Sequence, residues 1–121
     1  MPPSRLAACP AFAFAAGLAC LLPAVAKDYD AVARGRSLLA QYQCGACHAI
    51  PGVQSSRGEF AQPLAGWRHR SYIAGRLPNR PDVLVRWITD PQALVPGTRM
   101  PSMGVSPQDA QAMAAYLFSL D

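Results

Sequence analysis

The sequence has little that would build a sheet. No run of β-branched residues supplies the strands of a βαβ unit, which removes the usual setting of a thioredoxin-like redox pair. Cysteine is sparse as well: there are four, and Cys9 and Cys20 fall in the first 26 residues. With His69 as the one remaining histidine, Cys44, Cys47 and His48 lack a convincing fourth partner for a zinc site. No disulfide framework is available either. Lys/Arg runs and a basic helix face are both missing, which argues against nucleic acid as a partner. From residue 27 onward there is no repeat and no low-complexity tract.

What is present is 121 residues with formal charge +4, twelve prolines and nine glycines. That length allows one domain. The prolines and glycines predict short helices joined by long, irregular loops. Such a chain buries only a small core unaided. Within it stands Cys44-Gly45-Ala46-Cys47-His48. Two thiols three positions apart, followed at once by an imidazole, form the attachment pattern of a c-type haem. Each thiol can add to one vinyl group and leave a thioether, and His48 is then held below the iron. Gly45 and Ala46 are small enough to let the macrocycle edge approach the backbone. A short Cys44–Cys47 disulfide is the bland alternative, and it leaves His48 without a purpose. One covalent haem c would also supply the apolar interior that the chain is short of.

Residues 1–26 read as an export signal and residues 27–121 as the folded domain. Met1–Arg5 carries one positive side chain, Leu6–Leu22 is apolar, and Ala24-Val25-Ala26 is an A-x-A cleavage site. The alternatives are an uncleaved anchor of marginal spanning length, or a lipoprotein modified at Cys9 or Cys20. Membrane association is expected only through one of these. Cleavage leaves 95 residues with charge +3 and only the two cysteines of the motif.

Val32, Gly35, Leu39 and Tyr42 recur at helical spacing, and Asp28 or Asp30 is expected to cap that helix. Gly35 costs a helix about 1 kcal/mol relative to Ala, so close approach by another helix is expected there. Ala49–Arg80 shows little periodicity. Pro51-Gly52 marks a turn, Gln54–Gly58 a polar loop, and Pro63–Trp67 an apolar loop suited to covering a haem edge. His69, between Arg68 and Arg70, reads as solvated. Pro81–Thr89 reads as a helix with Leu84, Trp87 and Ile88 on one stripe, begun by Pro81 and stopped by Pro91. Trp87 is core in that reading, and a haem wall if a haem lies beside it. Ser106-Pro107-Gln108-Asp109 opens a last helix, which buries Met113, Tyr116, Leu117 and Leu120. Between these helices lies Pro96-Gly97-Thr98-Arg99-Met100-Pro101. A methionine between prolines is poor helix filler, and a thioether can be the sixth ligand of a haem iron. Met103 is its rival.

Residues about 30–120 resemble a small class I cytochrome c domain, with the motifs in that family's order. The resemblance implies an all-α fold, with N- and C-terminal helices crossing at Gly35 and Tyr116 and long loops round one haem. It implies Cys44 and Cys47 as attachment sites, His48 as proximal ligand, and Met100 rather than Met103 as distal ligand. Arg70–Gly75 and Val85–Ile88 are similar to monohaem domains found with haem–copper oxidases. That likeness implies Arg70 beside a propionate and Trp87 lining the haem. One departure stands out: Gln62 occupies the place of the family's proline, whose carbonyl accepts the proximal histidine's Nδ1–H. Any residue has a carbonyl, so a bond from His48 Nδ1 to Gln62 or a neighbour is expected.

The expected activity is therefore single-electron transfer in the periplasm, without catalysis, between partners such as a quinol-oxidising complex and a terminal oxidase. Seven arginines between Arg57 and Arg99, against Glu59, Asp82 and Asp90, read either as a solvated face or as a docking rim for an acidic partner. The rival classes are a fixed haem subunit of an oxidase or dehydrogenase complex, and a haem enzyme or gas sensor with an open sixth position.

Overall fold

The computed structural model describes residues 22–121. Most of the expected export segment, with Cys9 and Cys20, lies outside the described residues. The first helix, α1, runs Leu22–Gln41. Asp28 and Asp30 are thus inside a helix and exposed, which corrects the expected cap. The buried face of α1 is Gly35, Leu38 and Leu39, in line with the expected spacing. No helix among the described residues is long and apolar enough to cross a membrane.

The last helix, α4 (Pro107–Phe118), begins as the sequence dictates. The Ser106 hydroxyl accepts from the Asp109 amide at 3.1 Å, satisfying one of the first-turn donors that no helical carbonyl can reach. Its buried face holds Ala110, Ala112, Met113, Ala114, Tyr116 and Leu117. The principal helix contact in the molecule is α1 across α4. A Cβ on Gly35 would sit 2.5 Å from the Ala112 carbonyl carbon and 3.0 Å from the Met113 nitrogen. The backbones approach so closely that only glycine fits, which explains why a poor helix former stands mid-helix. At the same crossing, the Tyr42 hydroxyl donates to Asp109 Oδ2 at 3.0 Å. The Arg34 guanidinium meets Oδ1 of the same carboxylate at 2.5 Å.

Between them, α2 (Pro81–Thr89) packs Val83, Leu84, Trp87 and Ile88 inward against α4. Each large apolar side chain so buried contributes about 1.5–3 kcal/mol. Pro91 does stop α2, and it also begins a four-residue helix, α3 (Pro91–Leu94), capped by Asp90 through Ala93 N at 3.2 Å. A two-stranded antiparallel pair, β1 (Tyr72–Ile73) and β2 (Leu77–Pro78), adds a small sheet to the expected helical fold. Its turn places Ala74 and Gly75 at φ +51° and +69°, the mirror-image turn that matches strand twist.

Candidate functional site

After α1 the chain reverses at Gln43, which adopts a left-handed conformation (φ 56°), and enters a 3-10 turn over Cys44–Ala46. The Cys44 carbonyl accepts from His48 N at 3.0 Å, so both thiol positions and the imidazole leave one tight turn. Cys44 is partly buried and Cys47 exposed. Burial pushes the Cys44 thiol up from its ordinary value.

The segment expected as a plain polar loop is wrapped behind this turn. Gly58 N donates to the Gly45 carbonyl at 3.0 Å, and Ala61 N to the Cys47 carbonyl at 3.0 Å. Ala49 and Arg57 form an isolated antiparallel bridge. The Ser56 hydroxyl accepts from Ile50 N at 2.6 Å and donates to the His48 carbonyl at 3.0 Å. A Cβ on Gly45 would lie 2.6 Å from Ser56 Cα, and one on Gly58 would lie 2.6 Å from Cys47 Cα. Gly45 is therefore small because of Ser56 behind it, in addition to any demand from the haem side. Ser56 and Gly58 carry no signal in the sequence, because their partners are backbone atoms.

His48 Nδ1 donates to the Gln62 carbonyl at 2.7 Å. This is the bond expected of the family's proline, made by the residue that replaces it. It fixes the tautomer and leaves Nε2 as the free lone pair.

The next loop carries Leu64 and Trp67 into the core. Arg70 Nη2 donates to the carbonyls of Pro63 and, at 3.2 Å, Ala65, and its guanidinium lies 5.1 Å from the Trp67 ring centroid. Arg70 thus braces the covering loop. The Asn79 amide donates to the carbonyls of Trp67 and Arg70, each at 3.0 Å. Trp67 Nε1 is buried and has no hydrogen-bond partner among the described residues. Buried donors are nearly always paired. An indole N–H beside a guanidinium fits an anionic group such as a propionate. Together with two thiols and an oriented imidazole, these residues fit a haem. Sequence reasoning credited Trp67 only with apolar cover and missed its N–H. Trp87 lies in the core with Leu84 and Ile88. His69 is exposed and stands 3.7 Å from Asp121.

The three methionines at issue separate by environment. Met113 is fully buried in α4, Met103 is 45% exposed, and Met100 packs half-buried against the core. Of the three, only Met100 combines an irregular loop with packing against the core.

Comparison with known proteins bears on the family of the chain. The cytochrome c family model matches residues 32–121. The chain is 36% identical over 88 residues to cytochrome c oxidase subunit 2 of Alkalihalophilus pseudofirmus, covering 72% of this chain and 25% of that protein. It is 28% identical over 95 residues to the same subunit of a Bacillus species, covering 75% of this chain and 27% of that protein. It is 30% identical over 87 residues to cytochrome c2 iso-2 of Magnetospirillum fulvum, covering 64% of this chain and 91% of that protein. The chain thus spans about a quarter of the two oxidase subunits. No solved structure matches. From the haem-attachment turn to the last helix, the chain belongs to the cytochrome c family, and is a haem electron-transfer protein with covalently bound haem c.

Proposed function

We propose that this chain is an exported monohaem electron carrier, with Cys44 and Cys47 as the thioether positions and His48 and Met100 as the axial ligands. The observation that carries this reading is the 2.7 Å bond from His48 Nδ1 to the Gln62 carbonyl. It holds a histidine beside two thiols in the one tautomer that leaves Nε2 free to ligate. The bound haem supplies a one-electron ferrous/ferric couple, whose potential Met/His ligation raises. The chain's own residues keep it in place and dry. Cys44 and Cys47 would prevent its loss, Trp67 Nε1 and Arg70 would be the residues to pair with its propionates, and Trp87 belongs to the apolar core of the domain. With both axial positions filled by side chains, no substrate reaches the iron, and the protein is a carrier rather than an enzyme.

Residues 1–26 serve as a cleaved export signal in this reading, and the carrier works in the periplasm. Arg57, Arg76, Arg86 and Arg99 are exposed and make no ion pair among the described residues. They suit encounter with an acidic partner such as a terminal oxidase or a quinol-oxidising complex, with rapid release. The similarity to oxidase subunit 2 favours a second reading, in which the domain is fixed in an oxidase complex. Intact mass of the native protein tests the proposal. A 95-residue chain plus one haem, with both thiols closed to alkylation, is expected. Retained residues 1–26 would contradict cleavage, and free thiols would contradict the attachment. Recovery in the soluble fraction supports the free carrier, whereas co-purification with an oxidase supports the fixed domain.

A further inference from the structure

The loop that carries Met100 has almost no regular structure of its own. Its residues from Arg99 to Gly104 are exposed apart from the half-buried Met100. Among the described residues, only one backbone-to-backbone hydrogen bond ties the stretch from Pro96 to Gly104 to the rest of the chain: Thr98 N to the Val95 carbonyl, at 3.1 Å. Side chains from the start of α3 do the rest. Gln92 uses both ends of its amide. Nε2 donates to the Thr98 carbonyl at 2.6 Å and to the Met100 carbonyl at 3.3 Å. Oε1 accepts from Gly97 N at 3.2 Å. Beyond the methionine, Asp90 Oδ1 accepts from the Ser102 hydroxyl at 3.1 Å while it caps α3. The loop is therefore gripped on both sides of Met100 by two side chains two positions apart. Thr98 Oγ1 adds a long contact to Met100 N at 3.4 Å.

We propose that Gln92 is the positioning residue for the axial thioether: its amide presents Met100 by holding the backbone at residues 97, 98 and 100. This rests on the reading of Met100 as distal ligand. The physical argument concerns pre-organisation. An exposed, glycine-containing loop has many conformations, and only some bring the sulfur to the iron. A single amide that is satisfied only when Gly97, Thr98 and Met100 are all in place selects among them, and so raises the fraction of time the sulfur is bound. Both ends of the amide are needed, because one restrains an N–H and the other restrains carbonyls. Gln92 touches neither haem nor iron. Its effect should appear as competition between Met100 and an added ligand, with little change in global stability, since its side chain is exposed.

The test is an imidazole titration of the ferric holoprotein, followed by loss of the far-red absorption that marks methionine ligation. In Gln92→Ala, half-saturation should fall roughly tenfold, the scale of losing a few partly exposed hydrogen bonds, with thermal unfolding nearly unchanged. Gln92→Glu keeps the shape and an acceptor for Gly97 N, but turns a carboxylate toward two carbonyls, and should shift half-saturation at least as far. In the Met100→Ala background, Gln92→Ala should have no further effect, as expected if it acts only through the methionine. Unchanged imidazole affinity in both Gln92 variants, while Met100→Ala abolishes the far-red absorption, would overturn the positioning role alone. Survival of that absorption in Met100→Ala would instead remove the axial reading and this proposal with it.

Discussion

The two loops that bring His48 and Met100 to the site are held by different means. The His48 loop is fixed chiefly by backbone-to-backbone bonds, with the Ser56 hydroxyl the side chain that joins them. Gly58 bonds Gly45, Ala61 bonds Cys47, and the residues behind the turn are small because other backbone occupies the space. The Met100 loop is fixed by the side chains of Asp90, Gln92 and Thr98. Its glycines, Gly97 and Gly104, have nothing within 4 Å of an added Cβ, though their φ angles are +80° and +70°. The difference implies two failure modes. Damage on the histidine side should undo the fold, whereas damage on the methionine side should leave the fold and loosen one ligand.

Glycine substitutions in the two loops probe the contrast. Gly58→Ala drives a methyl group into Cys47 backbone. Overpacking there is expected to cost about 3 kcal/mol, a fall in Tm of about 15 °C for a domain of this size, read by thermal unfolding of the holoprotein. Gly97→Ala meets open space and pays only for positive φ, about 1 kcal/mol. Its Tm should move by about 5 °C, while methionine ligation weakens. Equal losses of Tm in the two variants would erase the distinction between the loops.

The Tyr42–Asp109 bond joins the start of the His48 loop to α4 and gives a smaller effect of known sign. Its hydrogen bond to Asp109 raises the Tyr42 phenol pKa. A raised acid holds its proton more tightly when folded. Its contribution is complete below the unfolded value, about 10, and is lost as pH rises through the folded value. Wild-type protein should therefore lose stability more steeply in that alkaline range than Tyr42→Phe, by denaturant unfolding at several pH values. Parallel pH profiles would contradict the coupling.

How much of this was readable in the sequence follows from the kind of signal involved. The Ser106 cap, Pro107 and the stripe through Met113 and Leu117 are local, and α4 lies where they place it. Gly35 could be assigned to a helix crossing because a glycine mid-helix needs a reason. The start of α1 is not legible, because Asp28 and Asp30 look like caps yet sit within a continuous helix. The strands β1 and β2 have two residues each, too short to show alternation, and Ala74 at positive φ carries no turn signature. Pro91 was readable as a stop but not as the first residue of α3. At the site, the Cys44–His48 motif, the carbonyl of Gln62 and the loop of Met100 could be named from spacing and resemblance. Ser56, Gln92 and the Trp67 N–H could not, since each acts through a backbone or buried atom that only the folded chain brings near.

If His48 and Met100 close both faces of the iron, as proposed, the reduced holoprotein offers carbon monoxide no open position. The visible spectrum after adding carbon monoxide decides this: it should stay unchanged in the wild type and shift at once in Met100→Ala. Rapid binding by the wild-type protein would contradict the proposed ligation and return the domain to the class of haem proteins with an open sixth position.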